Sequence, residues 1–116
     1  MKVVRVIKTF TFDSAHQLPN YNGKCSNLHG HTYKLEVGVE GLIGEDGLVV
    51  DFALLSKVVK EEIIENYDHK NLNNYFENPT AENMVVAFFD ILKEKFAGLC
   101  LIRLWETPTS YVEFTG

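Results

Sequence analysis

Two stretches of two-residue alternation, separated by a polar loop, constrain this chain more than any other feature. From Val4 to Phe12 one side reads Val4, Val6, Lys8, Phe10, Phe12 and the other Arg5, Ile7, Thr9, Thr11, the pattern of a strand whose successive side chains point to opposite faces. Continuing the first series reaches Ser14 and His16. A second series, His29, His31, Tyr33, Leu35, Val37, Val39, starts after a loop that holds Pro19, Asn20, Asn22, Gly23, Ser26 and Asn27, all turn formers. The opposite face of this second strand, Gly30, Thr32, Lys34, Glu36, Gly38, Glu40, suits solvent or a subunit contact. A hairpin return places His16 beside the start of the second strand.

Past a break at 41–47, Asp51 is placed to cap a helix whose Leu55, Val58, Val59 and Ile63 follow helical spacing up to about Asn66. A loop with Tyr67, Asp68 and His69 follows. Pro79 and Thr80 open a second helix, with Thr80 as cap and Met84, Val85, Phe88, Leu92 and Phe96 as its buried stripe, and Gly98 ends it. Residues 99–105 and 111–114 then predict a closing hairpin through 107–110. The order strand, strand, helix, helix, strand, strand implies an α+β fold, a four-stranded antiparallel sheet with two helices on one face. With 116 residues, 46% of them hydrophobic, residues 1–116 are expected to form a single domain. Open sheet edges favour pairing with another copy.

Charge and composition narrow the function. A net charge of -5 leaves no basic stripe for nucleic acid, so a small-molecule partner is expected. The opening residues 1–8 are interrupted by charge and lack the apolar centre of a signal peptide, and no later run is long and apolar enough to span a bilayer. The expectation is a cytoplasmic protein with no membrane partner. The two cysteines, Cys25 in a polar loop and Cys100 in an apolar run, do not make a disulfide scaffold.

The chemistry-bearing residues cluster. His29 and His31 share a strand face, and His16 lies at the adjacent end of the hairpin. Three imidazoles converging there can bind a metal and leave a fourth position open, although spacing alone leaves the metal undecided and ordinary strand histidines are the simpler alternative. Cys25, four residues before His29, is either a fourth ligand, a reactive thiolate or a spectator. Asp68 beside His69 is either an oriented acid–imidazole pair or a surface pair. Glu106, at the end of an apolar strand, either meets a polar heterocycle or forms a surface salt bridge.

Phe12-Asp13-Ser14-Ala15-His16, Cys25-Ser26-Asn27-Leu28-His29-Gly30-His31, Tyr67-Asp68-His69, Pro79-Thr80-Ala81-Glu82-Asn83 and Trp105-Glu106-Thr107 together resemble the 6-pyruvoyl-tetrahydropterin synthase family. The three-residue gap between Cys25 and His29 resembles its 6-carboxy-tetrahydropterin synthase branch, which serves queuosine and deazapurine synthesis. The resemblance implies a tunnelling fold, assembled as a homohexamer of two trimers with sites between subunits. It implies Zn2+ held by His16, His29 and His31, Cys25 as catalytic thiol, His69 with Asp68 as proton relay, and Glu106 as pterin anchor, with Thr80 and Glu82 near the pterin. The implied reaction converts 7,8-dihydroneopterin triphosphate to 6-carboxy-tetrahydropterin, acetaldehyde and triphosphate, with Lys24, Lys34 and Lys70 as candidate cations for the triphosphate. The residue after the thiol is Ser26 rather than the Glu of folate-type members. Two alternatives stay open: a pyruvoyl-forming synthase that leaves the carbon–carbon bond intact, and a non-catalytic oligomeric domain whose zinc is closed by Cys25.

Overall fold

The two alternating stretches pair along their whole length. In the computed structural model, which describes residues 1–19, 22–23 and 26–116, β1 (Val3–His16) runs antiparallel to β2 (His29–Leu42) from Val3 opposite Leu42 to His16 opposite His29. Phe10 opposes Leu35 and Phe12 opposes Tyr33, so these side chains share a face. The Phe12 and Tyr33 rings stack at 5.0 Å, a pairing that contributes about 0.5–1.5 kcal/mol beyond its area.

Asp51 starts α1 (Phe52–Val59) by accepting from the Ala53 amide at 2.9 Å. The rod continues through a π-helical turn, Lys60–Ile64, into α2 (Glu65–Tyr67). Asn66 Nδ2 donates back to the Glu62 carbonyl at 2.9 Å. Next come β3 (Lys70–Asn71) and a 3-10 turn, Leu72–Asn74. Thr80 caps α3 (Ala81–Lys93) by accepting from the Asn83 amide at 3.1 Å; each such cap stabilises by about 1 kcal/mol. The chain ends in β4 (Leu99–Thr107) and β5 (Ser110–Phe114).

The strand order is β3-β1-β2-β4-β5. This corrects the expectation of four antiparallel strands: the sheet has five strands and is mixed, because β3 lies parallel to β1 with Ser14 opposite Lys70 and Ala15 opposite Asn71. Two residues are too few to show alternation. β3 exists because the chain leaving α2 is tied to β1, the His69 amide donating to the Asp13 carbonyl at 2.6 Å.

Both helices cover the face that carries Phe12, Tyr33, Leu35, Val37, Ile102 and Leu104, where Leu55, Ile63, Met84 and Phe88 complete one apolar core. Fully burying side chains of this size stabilises by roughly 1.5–3 kcal/mol each. The stripe of the second helix departs from expectation only at its end: α3 stops at Lys93, and Phe96 is buried beyond it. Gly98 marks more than a helix end. A Cβ there would lie 2.3 Å from the Glu40 carbonyl oxygen, so the chain enters the sheet where only glycine fits. No helix among the described residues is long and apolar enough to cross a membrane.

Candidate metal centre

The strand ends bring three imidazoles together. His16 closes β1, His29 opens β2 directly opposite, and His31 follows two residues on, on the face of Tyr33. Their ring centroids are 4.6, 4.8 and 5.1 Å apart. His16 is fully buried.

Hydrogen bonds from the far side of two rings determine where their protons sit. His16 Nδ1 lies 2.8 Å from the Pro79 carbonyl oxygen and His29 Nδ1 lies 2.7 Å from the Asn27 carbonyl oxygen. A carbonyl only accepts, so each Nδ1 carries the proton and each neutral ring presents a lone pair at Nε2. Those two Nε2 atoms face each other at 3.0 Å. His31 Nε2 is buried without a hydrogen-bond partner, although Glu106 Oε1 approaches it to 3.0 Å. Burial pushes His31 below the ordinary imidazole value, and the neighbouring His16 and His29 add to this against the opposing pull of Glu106. Two of the three rings therefore turn an Nε2 lone pair into the cluster, and His31 Nε2 faces the Glu106 carboxylate.

These three nitrogens and a Glu106 carboxylate oxygen lie within 4.8 Å of one another. Imidazole and carboxylate donors with fixed outer hydrogen bonds fit a divalent transition metal, and the convergence of otherwise unsatisfied lone pairs is what a cation would relieve. Glu106 reaches the cluster from β4, its Oε1 also 3.7 Å from His16 Nε2. It is the extra residue of a β-bulge: Trp105 opposes Tyr111 and Thr107 opposes Ser110, with no partner for Glu106 between them. Bulges of this kind re-aim a side chain.

Asp68 and His69 gather with Asp13 rather than with the imidazoles. His69 takes a left-handed backbone, φ 57, which turns its ring back so that Nδ1 lies 2.9 Å from Asp68 Oδ2. Asp68 Oδ1 accepts from the Asp13 amide at 2.9 Å. That hydrogen bond, followed by the His69 partner, holds the Asp68 carboxyl below its usual range. The two groups are not remote, since His31 and His69 border one open cleft of about 580 Å³. Thr80 spends its hydroxyl oxygen on the α3 cap, whereas Glu82 and Glu106 line a common cavity of about 190 Å³. Lys34 lines a cleft with His31 and Glu106, and Lys70 borders the cleft of His69. Lys24 and Cys25 lie outside the described residues.

Comparison with known proteins identifies the family. The family model described as 6-pyruvoyl tetrahydropterin synthase matches residues 5–116. The chain belongs to the 6-pyruvoyl tetrahydropterin synthase family. It is 37% identical, over an alignment 137 positions long, to the 6-carboxy-5,6,7,8-tetrahydropterin synthase of Haemophilus influenzae, covering 95% of this chain and 97% of that protein. It is 39% identical over 105 residues to the dihydroneopterin monophosphate aldolase of Pyrococcus furiosus, covering 88% and 89%. The solved Caenorhabditis elegans 6-pyruvoyl tetrahydropterin synthase superposes with a TM-score of 0.91 at 28% identity, covering 100% of this chain and 97% of that one.

Three groups around the site carry little or no signal in the sequence. Tyr33, whose hydroxyl lies 3.2 Å from His16 Nδ1, was visible as the next residue on the histidine face. Asp13, the anchor of Asp68 and His69, sits inside a quoted motif but on the opposite strand face. The Pro79 carbonyl carries no side-chain signal at all.

Proposed function

We propose that this chain is a zinc-dependent 6-carboxy-5,6,7,8-tetrahydropterin synthase, a lyase that converts 7,8-dihydroneopterin triphosphate to 6-carboxy-tetrahydropterin, acetaldehyde and triphosphate in queuosine or related 7-deazapurine synthesis. The observation that carries this reading is the convergence of three imidazole nitrogens beside Glu106, in a chain similar over nearly its full length to an enzyme of that name. His16, His29 and His31 would hold the zinc. When bound, the ion supplies Lewis acidity toward the side-chain oxygens of the substrate.

The remaining work falls to the side chains. Glu106 accepts hydrogen bonds from the amide-like edge and amino group of the pterin, with Glu82 in the same cavity and Thr80 at the adjoining helix start. Asp68 fixes His69 through Nδ1, which leaves Nε2 to carry a proton to or from the cleft. Cys25 as thiolate removes the proton next to the reacting carbon. Lys34 and Lys70 border clefts adjoining His31 and offer charge to the triphosphate, with Lys24.

Assembly into a cytoplasmic homohexamer of two trimers, the tunnelling arrangement, belongs to the same proposal, with each 116-residue chain acting as a single domain. Among the described residues β3 pairs with β1 only at Ser14 and Ala15, and β5 ends the other side of the sheet. Two open edges on one sheet pair head to tail into a closed ring.

Incubating zinc-loaded protein with 7,8-dihydroneopterin triphosphate, and separately with the monophosphate, then identifying every product, tests the proposal. Acetaldehyde with 6-carboxy-tetrahydropterin is the expected result. A 6-pyruvoyl product without acetaldehyde would assign the pyruvoyl-forming reaction. Turnover of the monophosphate alone would align the chain with its Pyrococcus furiosus relative, and no turnover of either would leave a structural zinc domain.

A further inference from the structure

The open sheet face, away from the helices, holds a buried charge with no part in the chemistry above. Glu36 is only 8% exposed. Its Oε1 accepts from Trp105 Nε1 at 2.9 Å and lies 3.5 Å from Lys34 Nζ, while Oε2 lies 3.6 Å from Arg103 Nη1. A carboxylate withdrawn from water needs such partners, but that does not explain why one is placed here.

Register supplies the reason. Glu36 opposes Arg103, and Lys34 opposes Trp105, so Glu36 meets the indole diagonally across β2 and β4. The indole is held on three sides: by Glu36, by Lys34 Nζ 5.0 Å from its ring centroid, and by the Tyr111 ring at 4.3 Å. Trp105 is also the last β4 residue paired with β2. The next residue is Glu106, which the bulge leaves unpaired toward β5. Glu106 itself has no ladder partner to set the direction in which it leaves the strand, and its nearest fixed points are the clamped indole one residue earlier and the Thr107–Ser110 pair one residue later.

We propose that Glu36 is a positioning residue: by holding the Trp105 indole it aims the Glu106 carboxylate at His31 and the shared cavity. The consequence for turnover rests on the pterin reading of the site, whereas the positioning itself does not. Glu36→Leu removes the acceptor. Glu36→Gln keeps a carbonyl oxygen for the indole and removes the charge.

The test compares crystal structures, fluorescence and kinetics of the two variants with the parent. The chain has a single tryptophan, so emission reports on Trp105 directly. In Glu36→Leu the emission should shift, Glu106 Oε1 should leave its contact with His31 by about 1 Å or more, and KM for the reduced pterin should rise about tenfold or more with a smaller change in kcat, a displacement of this size being costly to a positioned group. Glu36→Gln should restore all three. Glu106 unmoved in Glu36→Leu, with the indole displaced, would overturn the proposal. So would loss of Glu106 position in Glu36→Gln, which would point to net charge rather than the indole bond. A parent protein that binds no pterin would defeat the proposed function instead, and the crystal structures would still decide the positioning.

Discussion

His16 Nε2 and His29 Nε2 face each other at 3.0 Å with neither ring holding a proton to share, because both Nδ1 protons are committed to carbonyl oxygens. Two lone pairs at that separation repel unless a cation lies between them. The contact is thus one that a bound cation would relieve, and the outer carbonyls of Pro79 and Asn27 orient the rings for it.

The first prediction follows directly. His29→Ala leaves two imidazoles, and bound zinc, measured by atomic emission on purified protein, should fall to a small fraction of one ion per chain. The same variant should melt no lower than the metal-free parent, since the repulsive contact is removed with the ring. Full metal content in the variant would refute the ligand assignment.

Glu106→Gln separates pterin anchor from metal ligand. As an anchor the carboxylate accepts two hydrogen bonds from the pterin, and its replacement should weaken pterin binding by about tenfold to a hundredfold, in line with the roughly 1.5–3 kcal/mol of a hydrogen bond to a charged group. Zinc content should stay unchanged. Calorimetric titration with a reduced pterin, alongside metal analysis, checks both halves; loss of zinc with pterin affinity intact would make Glu106 the fourth donor.

Cys25 divides an open catalytic site from a closed structural one. Cys25→Ala should retain near-stoichiometric zinc and lose about a hundredfold or more in turnover, the scale of a positioned acid or base. Metal lost together with thermal stability would mean that the thiol completes a structural site.

The histidine cluster was readable from sequence because alternation on a strand does not depend on tertiary detail: His29, His31 and Tyr33 share a face in any register. Asp51 and Thr80 were readable for a similar reason, since a cap acts on amides two or three residues away. The pairing of His69 with Asp68 was named in the sequence only as one of two alternatives, and the structure forms it. Neighbouring side chains ordinarily diverge, and only the left-handed φ of His69, imposed by its bond to β1, turns the ring back. The π turn at Lys60–Ile64 leaves the helical period of its apolar residues nearly intact and escapes detection for that reason. The Glu36–Trp105 bond joins residues 69 positions apart, which no local pattern encodes.

Gly98 gives a prediction about the fold alone. A Cβ would lie 2.3 Å from the Glu40 carbonyl oxygen and 3.3 Å from Val39 Cγ1, and the Glu40 amide bonds the Gly98 carbonyl at 2.8 Å across the same approach. Gly98→Ala must push backbone apart at the base of β4. It should destabilise the protein by about 2–3 kcal/mol, toward the upper range of overpacking, with the site residues unaltered. Urea unfolding measures this, and an unchanged midpoint would show that the close approach is dispensable.

Asp68 links the proposed relay to acid stability. Its folded pKa is depressed, first by the Asp13 amide and then by His69, so it contributes stability that is fully present above the unfolded aspartate value of about 3.9 and is lost as pH falls through the lower folded value. Asp68→Asn keeps an oxygen to accept from the Asp13 amide, so β1 and the chain leaving α2 should stay joined, but it removes the titrating charge. The variant should be less stable than the parent at neutral pH, and the gap should close as pH drops below about 4. Urea midpoints between neutral pH and about pH 2.5 test this, with tautomer-sensitive nitrogen NMR of His69 to show whether Nδ1 still carries the proton. Parallel stability curves would mean that the carboxylate contributes through its hydrogen bond alone, and an unchanged His69 tautomer with full activity would remove Asp68 from the relay.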